Sequence, residues 1–462
     1  MKRFFAVLIS LIMIICISLT GCDSQIDRDK ELQDVLKSTN TELSNTFTGP
    51  DCEFALISEY LTSWAKGSGA EIIEANDNYI VLDNPATKGK KKKELTLLQC
   101  SVDTEDIVGS LDSLATSLTA FLGPLEHGPI RLIVTAHAGR NFYGAQAVPA
   151  KYIKNAHIIN LNSETTEKVY LSSYKVSNAV ISGDVTRRAP KYAQAFRITM
   201  TMPEYTDPFS FDKGNSFPNP IQTIGNLLAG VKSAGKLFEV ASFTCKAHEG
   251  YTPYSATAIV VVDANNVEAF TKRFDKANDS IADKFDKVDD SYIFTMDETE
   301  MPDQVLDDAS TDTLISLMYT MKSGVYEQNE DNGRVESASS IQFISVRDDT
   351  MQLHVTIKGR NSEMTSHIVD DFKTTCGLCD MDFHCPSADY LWKAGNKGKL
   401  LGFLRDAGII ELADDTASIR NGECDFLASA SPGVDMISYH YKAENDKQIL
   451  RTVTAFIEFL AE

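Results

Sequence analysis

The tightest group of side chains that could do chemistry is Cys376-Gly377-Leu378-Cys379, followed at once by His384-Cys385. Four soft donors within ten residues could hold a zinc ion, which takes thiolate and imidazole ligands in a tetrahedral set. A local disulfide or a group of free thiols would use the same residues, and a lone CxxC without a second matching pair does not choose among the three. Cys52, Cys100, Cys245 and Cys424 are scattered, so the chain carries no disulfide framework of the small secreted kind. The only basic run spans Lys88 to Lys93 with Gly89 inside it. It reads as the solvated tip of a hairpin between two strands.

Cys22 has a different chemistry. Lys2 and Arg3 open the chain, Phe4 to Leu19 is almost wholly apolar, and the run breaks at Thr20-Gly21-Cys22. Such a run fits the core of a secretion signal and is shorter than the ~20 residues of a comfortable membrane span. Leu19-Thr20-Gly21-Cys22 resembles the bacterial lipobox, in which the cysteine thiol is diacylglycerated and becomes the mature N-terminus. The expectation is a signal peptide over 1–21 and lipidation at Cys22. The chain would then sit at the cell membrane, lipid-anchored on its extracytoplasmic face. Asp23 to Asp29 is polar and lacks a turn signal, so 22–45 reads as a flexible tether.

The elements that must position any site follow from composition and periodicity. About 440 residues remain after the leader, enough for two or three domains. A hydrophobic content of 43% with 9% aromatics is that of a globular chain. The formal charge of −21 becomes −23 when Lys2 and Arg3 leave with the leader. That balance argues against nucleic acid, and against an anionic membrane face, as partners. Apolar spacing predicts helices at Ala55–Ala65 and Ile107–Leu122. Short strands are predicted at Tyr79–Leu82, Leu95–Cys100, Ile130–Val134 and Ala156–Asn160. Alternating strands and helices make a doubly wound, mostly parallel sheet. From about 175 to 385 the pattern changes to alternating strands, as in Phe196–Met202, Ala256–Val262, Ile341–Arg347 and Gln352–Lys358. Helices at Pro220–Leu237 and Thr311–Met321 lie between them. The organisation expected is an α/β domain over 46–174 and 386–462, interrupted by an α+β insertion over 175–385. An amphipathic helix, Gln448–Leu460, closes the chain.

These residues also resemble a known family. Glu59-Tyr60-Leu61 with Trp64-Ala65-Lys66, then Pro85-Ala86-Thr87-Lys88-Gly89 and Leu97-Leu98-Gln99, look like the N-terminal part of the bacterial aminoacyl-histidine dipeptidases. Those are two-metal, aminopeptidase-like enzymes of the carnosinase and carboxypeptidase G class. The similarity runs on through His127-Gly128-Pro129, Thr135, Ala138-Gly139, Ile159-Asn160 and Ser163-Glu164. It ends at Glu423-Cys424 and Asp435-Met436-Ile437-Ser438, in the family's order from roughly 45 to 462. The resemblance implies a two-metal peptidase fold whose insertion is a lid or dimerisation domain.

The resemblance also implies a chemistry. Hydrolysis there uses two divalent metals, zinc or manganese, about 3.5–4 Å apart, together with a glutamate that moves the proton. Carried over by position, the ligand His of the family's His-x-Asp falls on Ser101, and its orienting Asp on Asp103. The bridging Asp falls near Ser110, the adjacent glutamates on Ala136 and His137, the next strand-end Asp on Asn162, and the last ligand His near Lys442. In the insertion, the His that steadies the oxyanion in a neighbouring subunit falls on Phe209, within Asp207-Pro208-Phe209-Ser210. An Arg-Asn pair that approaches substrate falls near Glu249-Gly250, which inverts the charge there.

With those ligands gone, no intact catalytic set is left and neither metal nor other cofactor is expected. A new one-metal site built on His137, Asn162 and Asp103 falls short of the three ligands a hydrolytic zinc takes. The reading is a degenerate, non-catalytic member that binds a peptide or protein ligand, is held to the membrane by its lipid, and pairs as a homodimer through the insertion. Residual or altered metal-dependent hydrolysis is the alternative, and a purely structural role is a third. One consequence is checked directly: Cys22→Ser should leave the leader unprocessed or release the protein from the membrane fraction. An unchanged fractionation and an unchanged mature mass in that variant would refute the anchor.

Overall fold

The computed structural model describes residues 25–47, 53–103, 107–136, 142–163, 167–204, 206–211, 217–285, 292–387, 389–395, 398–409 and 416–462. Cys22, the leader and His137 lie outside the described residues. The chain divides into two compact units, Met1–Ser173 with Leu391–Glu462, and Tyr174–Tyr390. No helix among the described residues is long and apolar enough to cross a membrane.

The first unit begins with a correction. Residues read as a tether form helix α1, Gln25–Thr46, instead. Leu32, Leu36 and Leu43 recur at intervals of four and seven residues, and with Phe47 they are buried in the unit's core. Charged neighbours between these leucines hide the stripe from a composition-based reading. Then come α2 (Phe54–Ser68), β1 (Glu71–Ala75), β2 (Tyr79–Asn84), β3 (Leu95–Val102), α3 (Ile107–Leu122), β4 (Ile130–Ala136), β5 (Ala156–Ser163) and β6 (Lys168–Tyr170). Gly69 ends α2 at φ 83°, donating its N–H to Ala65 O at 3.1 Å.

The second unit is built on an antiparallel sheet. Its main strands are β7 (Lys175–Asp184), β8 (Gln194–Thr201), β9 (Phe238–Lys246), β10 (Ser255–Val262), β11 (Ile293–Glu298), β12 (Val335–Arg347), β13 (Thr350–Gly359) and β14 (Asp382–His384). Among the described residues they lie in the order β11-β8-β10-β9-β12-β13-β7-β14. Helices α4 (Pro220–Ser233), α5 (Val267–Phe285), α6 (Asp308–Thr320) and α7 (Ser362–Leu378) share one core with that sheet. Pro220 at the first position of α4 and the Asn219 side chain, which accepts from Ile221 and Gln222 N–H, set where α4 starts.

The chain then returns to the first unit with α8 (Lys399–Asp406), α9 (Glu423–Ala430), β15 (Asp435–Tyr441) and α10 (Asp446–Ala461). Among the described residues seven strands form its sheet, in the order β1-β2-β4-β3-β5-β15-β6. The four central strands β4, β3, β5 and β15 are parallel, and the edges are antiparallel. Leu98, Cys100, Val134, Leu161 and Tyr439 face α1, α2, α3, α8 and α10. Leu97, Ile133, Ile158 and Met436 face α9 and the segment around Tyr152. The expected doubly wound, mostly parallel α/β sheet is what forms. The basic run is not a hairpin tip, because β4 lies between β2 and β3 and the loop crosses over it.

The burial of α1 is tested by substitution. Leu43, fully buried, changed to Ala should cost about 2–5 kcal/mol by the loss of packed methylene groups. The readout is the urea midpoint of the first unit's unfolding. Lys37→Ala, on the exposed side of the same helix, should leave that midpoint in place. Equal, negligible effects of both changes would mean that α1 is not docked.

Candidate functional site

In a doubly wound sheet, ligands gather at the carboxyl ends of the parallel strands. There one face of the first unit's sheet turns from apolar to polar. Gln99 on β3 pairs with Asn160 on β5, Asn160 with Ser438 on β15, and Asn162 with His440. Ser101 on β3 pairs with Thr135 on β4. Strand alternation puts all of these side chains on the face that carries α9. Gln99 and Asn160 are fully buried, and Thr135, Ser438 and Ser101 nearly so.

The buried groups satisfy one another in a single direction. Ser438 Oγ donates to Asn160 Oδ1, Asn160 Nδ2 donates to Gln99 Oε1, and Gln99 Nε2 donates to Thr135 Oγ1 at 3.1 Å. Asn162 Nδ2 adds a second bond to Asn160 Oδ1 at 2.7 Å. His440 Nε2 lies 2.9 Å from Ser438 Oγ, and its ring meets Tyr170 edge-on at 4.8 Å. Because the Ser438 proton goes to Asn160, the imidazole donates to the hydroxyl and does not accept from it. Ser438 and His440 thus have the residue types of a nucleophile and base but the opposite proton order.

The acid of this face is Glu423, at the start of α9 and almost fully buried, which accepts a hydrogen bond from Ser101 Oγ. The neighbouring thiols, Cys100 and Cys424, are buried. Burial pushes the Cys100 thiol up to about 12, and burial with the nearby Glu423 and Asp425 carboxylates raises Cys424 well above the ordinary thiol range. On the sheet's other side, serines of α3 hold strand ends: Asp103 N–H donates to Ser110 Oγ at 2.9 Å, and Ser163 N–H to Ser113 Oγ at 2.6 Å.

The positions expected from sequence do not all lie on one face of the sheet. Ser101 and Asn162 belong to the polar face, and Asp103 and Ser110 are bonded to each other. Ala136 is buried in the core of the opposite face, with its N–H donated to Asn78 O at 2.8 Å. Gly144 closes over it: a β-carbon there would lie 2.4 Å from Ala136 O, so only glycine fits. Lys442 follows β15 half exposed, its Nζ 3.7 Å from Glu444 Oε1. His137 lies outside the described residues. Gln99, Asn160, Ser438, His440 and Glu423 were not singled out as site residues. Their signal is polar residues at period two inside apolar strands, as in Asn160-Leu161-Asn162 and Ser438-Tyr439-His440.

The family's two metals can be tested against these donors. The described ligand positions present a hydroxyl, a methyl, an amide and an ammonium, at Ser101, Ala136, Asn162 and Lys442. Divalent zinc or manganese takes imidazole and carboxylate donors, so this set does not fit two such ions.

In the second unit Phe209 is buried, with the ammonium of Lys358, itself buried, 4.3 Å from its ring centre. That is a cation–π contact, and the ring has no N–H to give an oxyanion. Cys376, Cys379 and Cys385 are free thiols; Cys376 lies in the core, where burial pushes it up to about 12. Among the described residues no three His, Cys, Asp or Glu side chains come together as a metal-holding group. The unit also has an open cavity of about 680 Å³ beside α4 and α5. Phe211, Phe217, Leu227 and Ile281 give it apolar walls, and Arg273 and Lys276 line it as well.

No protein-family model matches the sequence. It is 18% identical over 432 residues to the cytosol non-specific dipeptidase of Escherichia coli, spanning 83% of this chain and 86% of that one. Among solved structures, the aminoacylhistidine dipeptidase of Vibrio alginolyticus matches with a TM-score of 0.54 and 18% identity, covering 92% of this chain and 96% of the other. The aminopeptidase PepT of Bacillus cereus matches at 11% identity with a TM-score of 0.48, covering 93% and 99%.

The polar face makes its own prediction. Asn160→Ala removes a donor and an acceptor at once, leaving Gln99 and Ser438 short of a partner inside the sheet. It should cost roughly 2–3 kcal/mol, measured as a lowered urea midpoint. A change below about 0.5 kcal/mol, the usual size of a surface substitution, would mean that the face is wet and not a closed network.

Proposed function

We propose that the chain, whose fold is like that of the dipeptidases, is a non-catalytic member of that family, lipid-anchored outside the cell membrane through Cys22, that binds peptides without cleaving them. The observation that carries this reading is the use of the strand-end side chains. Ser101 gives its hydrogen bond to Glu423, and Asn162 gives one to Asn160. Groups so engaged are satisfied without a metal, and Ala136 has no carboxylate with which to move a proton. Without metals, neither the hydroxide nor the main oxyanion stabiliser of the family's reaction is available.

Peptide binding rests on the second unit's cavity, whose volume lies in the range small ligands fill. Its apolar walls suit side chains, and Arg273 and Lys276 suit a terminal carboxylate. The lipid anchor rests on the leader and on Leu19-Thr20-Gly21-Cys22. Two acyl chains meet the two-signal requirement of stable membrane attachment.

The purified protein should not hydrolyse Xaa-His or other dipeptides above background when zinc, manganese or cobalt is added, and elemental analysis should find no stoichiometric metal. Turnover abolished by a chelator would restore the alternative of an altered hydrolase. In calorimetric titration with short peptides, Arg273→Glu should weaken binding about tenfold or more, the scale of a lost charge-assisted contact. Unchanged affinity in that variant would remove the cavity as the peptide site.

A further inference from the structure

We infer that the first unit stands on the membrane by its amino edge, with the loop 88–93 on anionic phospholipid headgroups and the polar strand-end face turned away from the bilayer. The inference rests on the lipid anchor proposed above. It starts from α1, whose first described residue, Gln25, lies three positions after Cys22. A docked helix at that point leaves little slack, so the lipid holds whichever end of the unit carries the start of α1.

That end is identified by its contacts. Arg28 pairs with Glu458 near the end of α10, and its second guanidinium nitrogen reaches Gly123 O at 3.5 Å. Glu458 also accepts from Leu125 N–H at 2.9 Å. Lys90 Nζ donates to Ala461 O at 2.9 Å, one helical turn beyond Glu458, and pairs with Glu126 at 3.2 Å. The start of α1 and the basic loop are therefore neighbours, through the end of α10 and the segment 123–126.

Among the described residues, three of the acids nearest the loop are paired. Glu94 is held by Lys399 at 2.7 Å and by His157 at 3.1 Å, Glu126 by Lys90, and Glu458 by Arg28. Glu462 adds an exposed acid beside them. Lys88, Lys91 and Lys92 are exposed and make no ion pair among the described residues. Three free ammonium groups beside a lipid-bearing end are complementary to phosphate headgroups.

The far end of α1 shows where the strand-end face goes. Asn40 bonds to Asp112, which lies between Ser110 and Ser113, the two serines that hold the ends of β3 and β5. A helix of 22 residues is about 33 Å long. With α1 standing along the membrane normal, the strand ends are carried about 30 Å from the bilayer.

The test uses the full-length lipidated protein, diluted from detergent onto preformed vesicles of phosphatidylcholine with or without phosphatidylglycerol. Acetylation of each lysine is followed by mass spectrometry. Lys88, Lys91 and Lys92 should be acetylated several-fold more slowly on phosphatidylglycerol vesicles than in detergent, and Lys37 and Lys447 at unchanged rates. The protection should fall at about 1 M salt, where the Debye length is about 3 Å. Flotation with the vesicles but no selective protection of the loop overturns the orientation alone. Failure to float, with Cys22 at its unmodified mass, overturns the anchor and the orientation together.

Discussion

The structure of the first unit depends on one buried chain of hydrogen bonds running across its parallel strands, from Ser438 through Asn160 and Gln99 to Thr135. Each member sits where the sheet offers no water, so each polar atom left alone would cost about 1–3 kcal/mol. The chain closes because adjacent strands place an amide or hydroxyl at the same level: Gln99 beside Asn160, and Asn160 beside Ser438. A register slip of one residue would send these groups into the apolar face and strand Leu98, Ile159 and Ile437 among them. The network thereby fixes the register of the three strands whose ends form the site.

That constraint also limits the chemistry. A two-metal centre gathers several carboxylates and imidazoles whose mutual repulsion only the cations offset. Here the same edge of the sheet holds amides and hydroxyls, at Gln99, Asn160, Asn162, Thr135 and Ser438, bonded to one another. Glu423, a buried acid of the face, accepts from Ser101, and the imidazole of His440 lies against Ser438 and Tyr170. A carboxylate or imidazole placed singly at Ser101 or Asn162 would displace a bond this face already makes. Ala136 shows this most plainly, since its side chain is enclosed in the opposite core and Gly144 packs against its backbone.

Much of the fold was legible in the sequence because its elements are strongly periodic. The helix expected at Ile107–Leu122 forms with those bounds, and the strands expected at Leu95, Ile130 and Ala156 begin at those residues. Pairing was less legible, since β2 and β3 are consecutive in the chain but β4 inserts between them. The α1 helix was missed because three leucines and a phenylalanine are diluted by charged and polar neighbours, and its stability comes from docking on α3 and α10. At the site, family resemblance located the ends of β3, β5 and β15. It did not reveal the partners of those residues, because Glu423 and Asn160 reach them through the folded sheet and not through sequence spacing.

The charge of the whole chain gives a misleading account of its surfaces. A formal charge of −21 argues against an anionic bilayer only if all of that charge is felt at the point of contact. At physiological salt the Debye length is about 8 Å, so acids elsewhere on the molecule are screened from any one surface that meets a bilayer. What counts is the charge within that distance of the headgroups, where each lysine contributes about 1 kcal/mol. Of the described acids around Lys90, Glu458, Glu94 and Glu126 are paired with Arg28, Lys399 and Lys90 itself, and Glu462 is exposed, against the three exposed ammonium groups of Lys88, Lys91 and Lys92. On the proposed orientation, the net negative charge of the rest of the molecule therefore does not oppose contact between the basic loop and anionic headgroups.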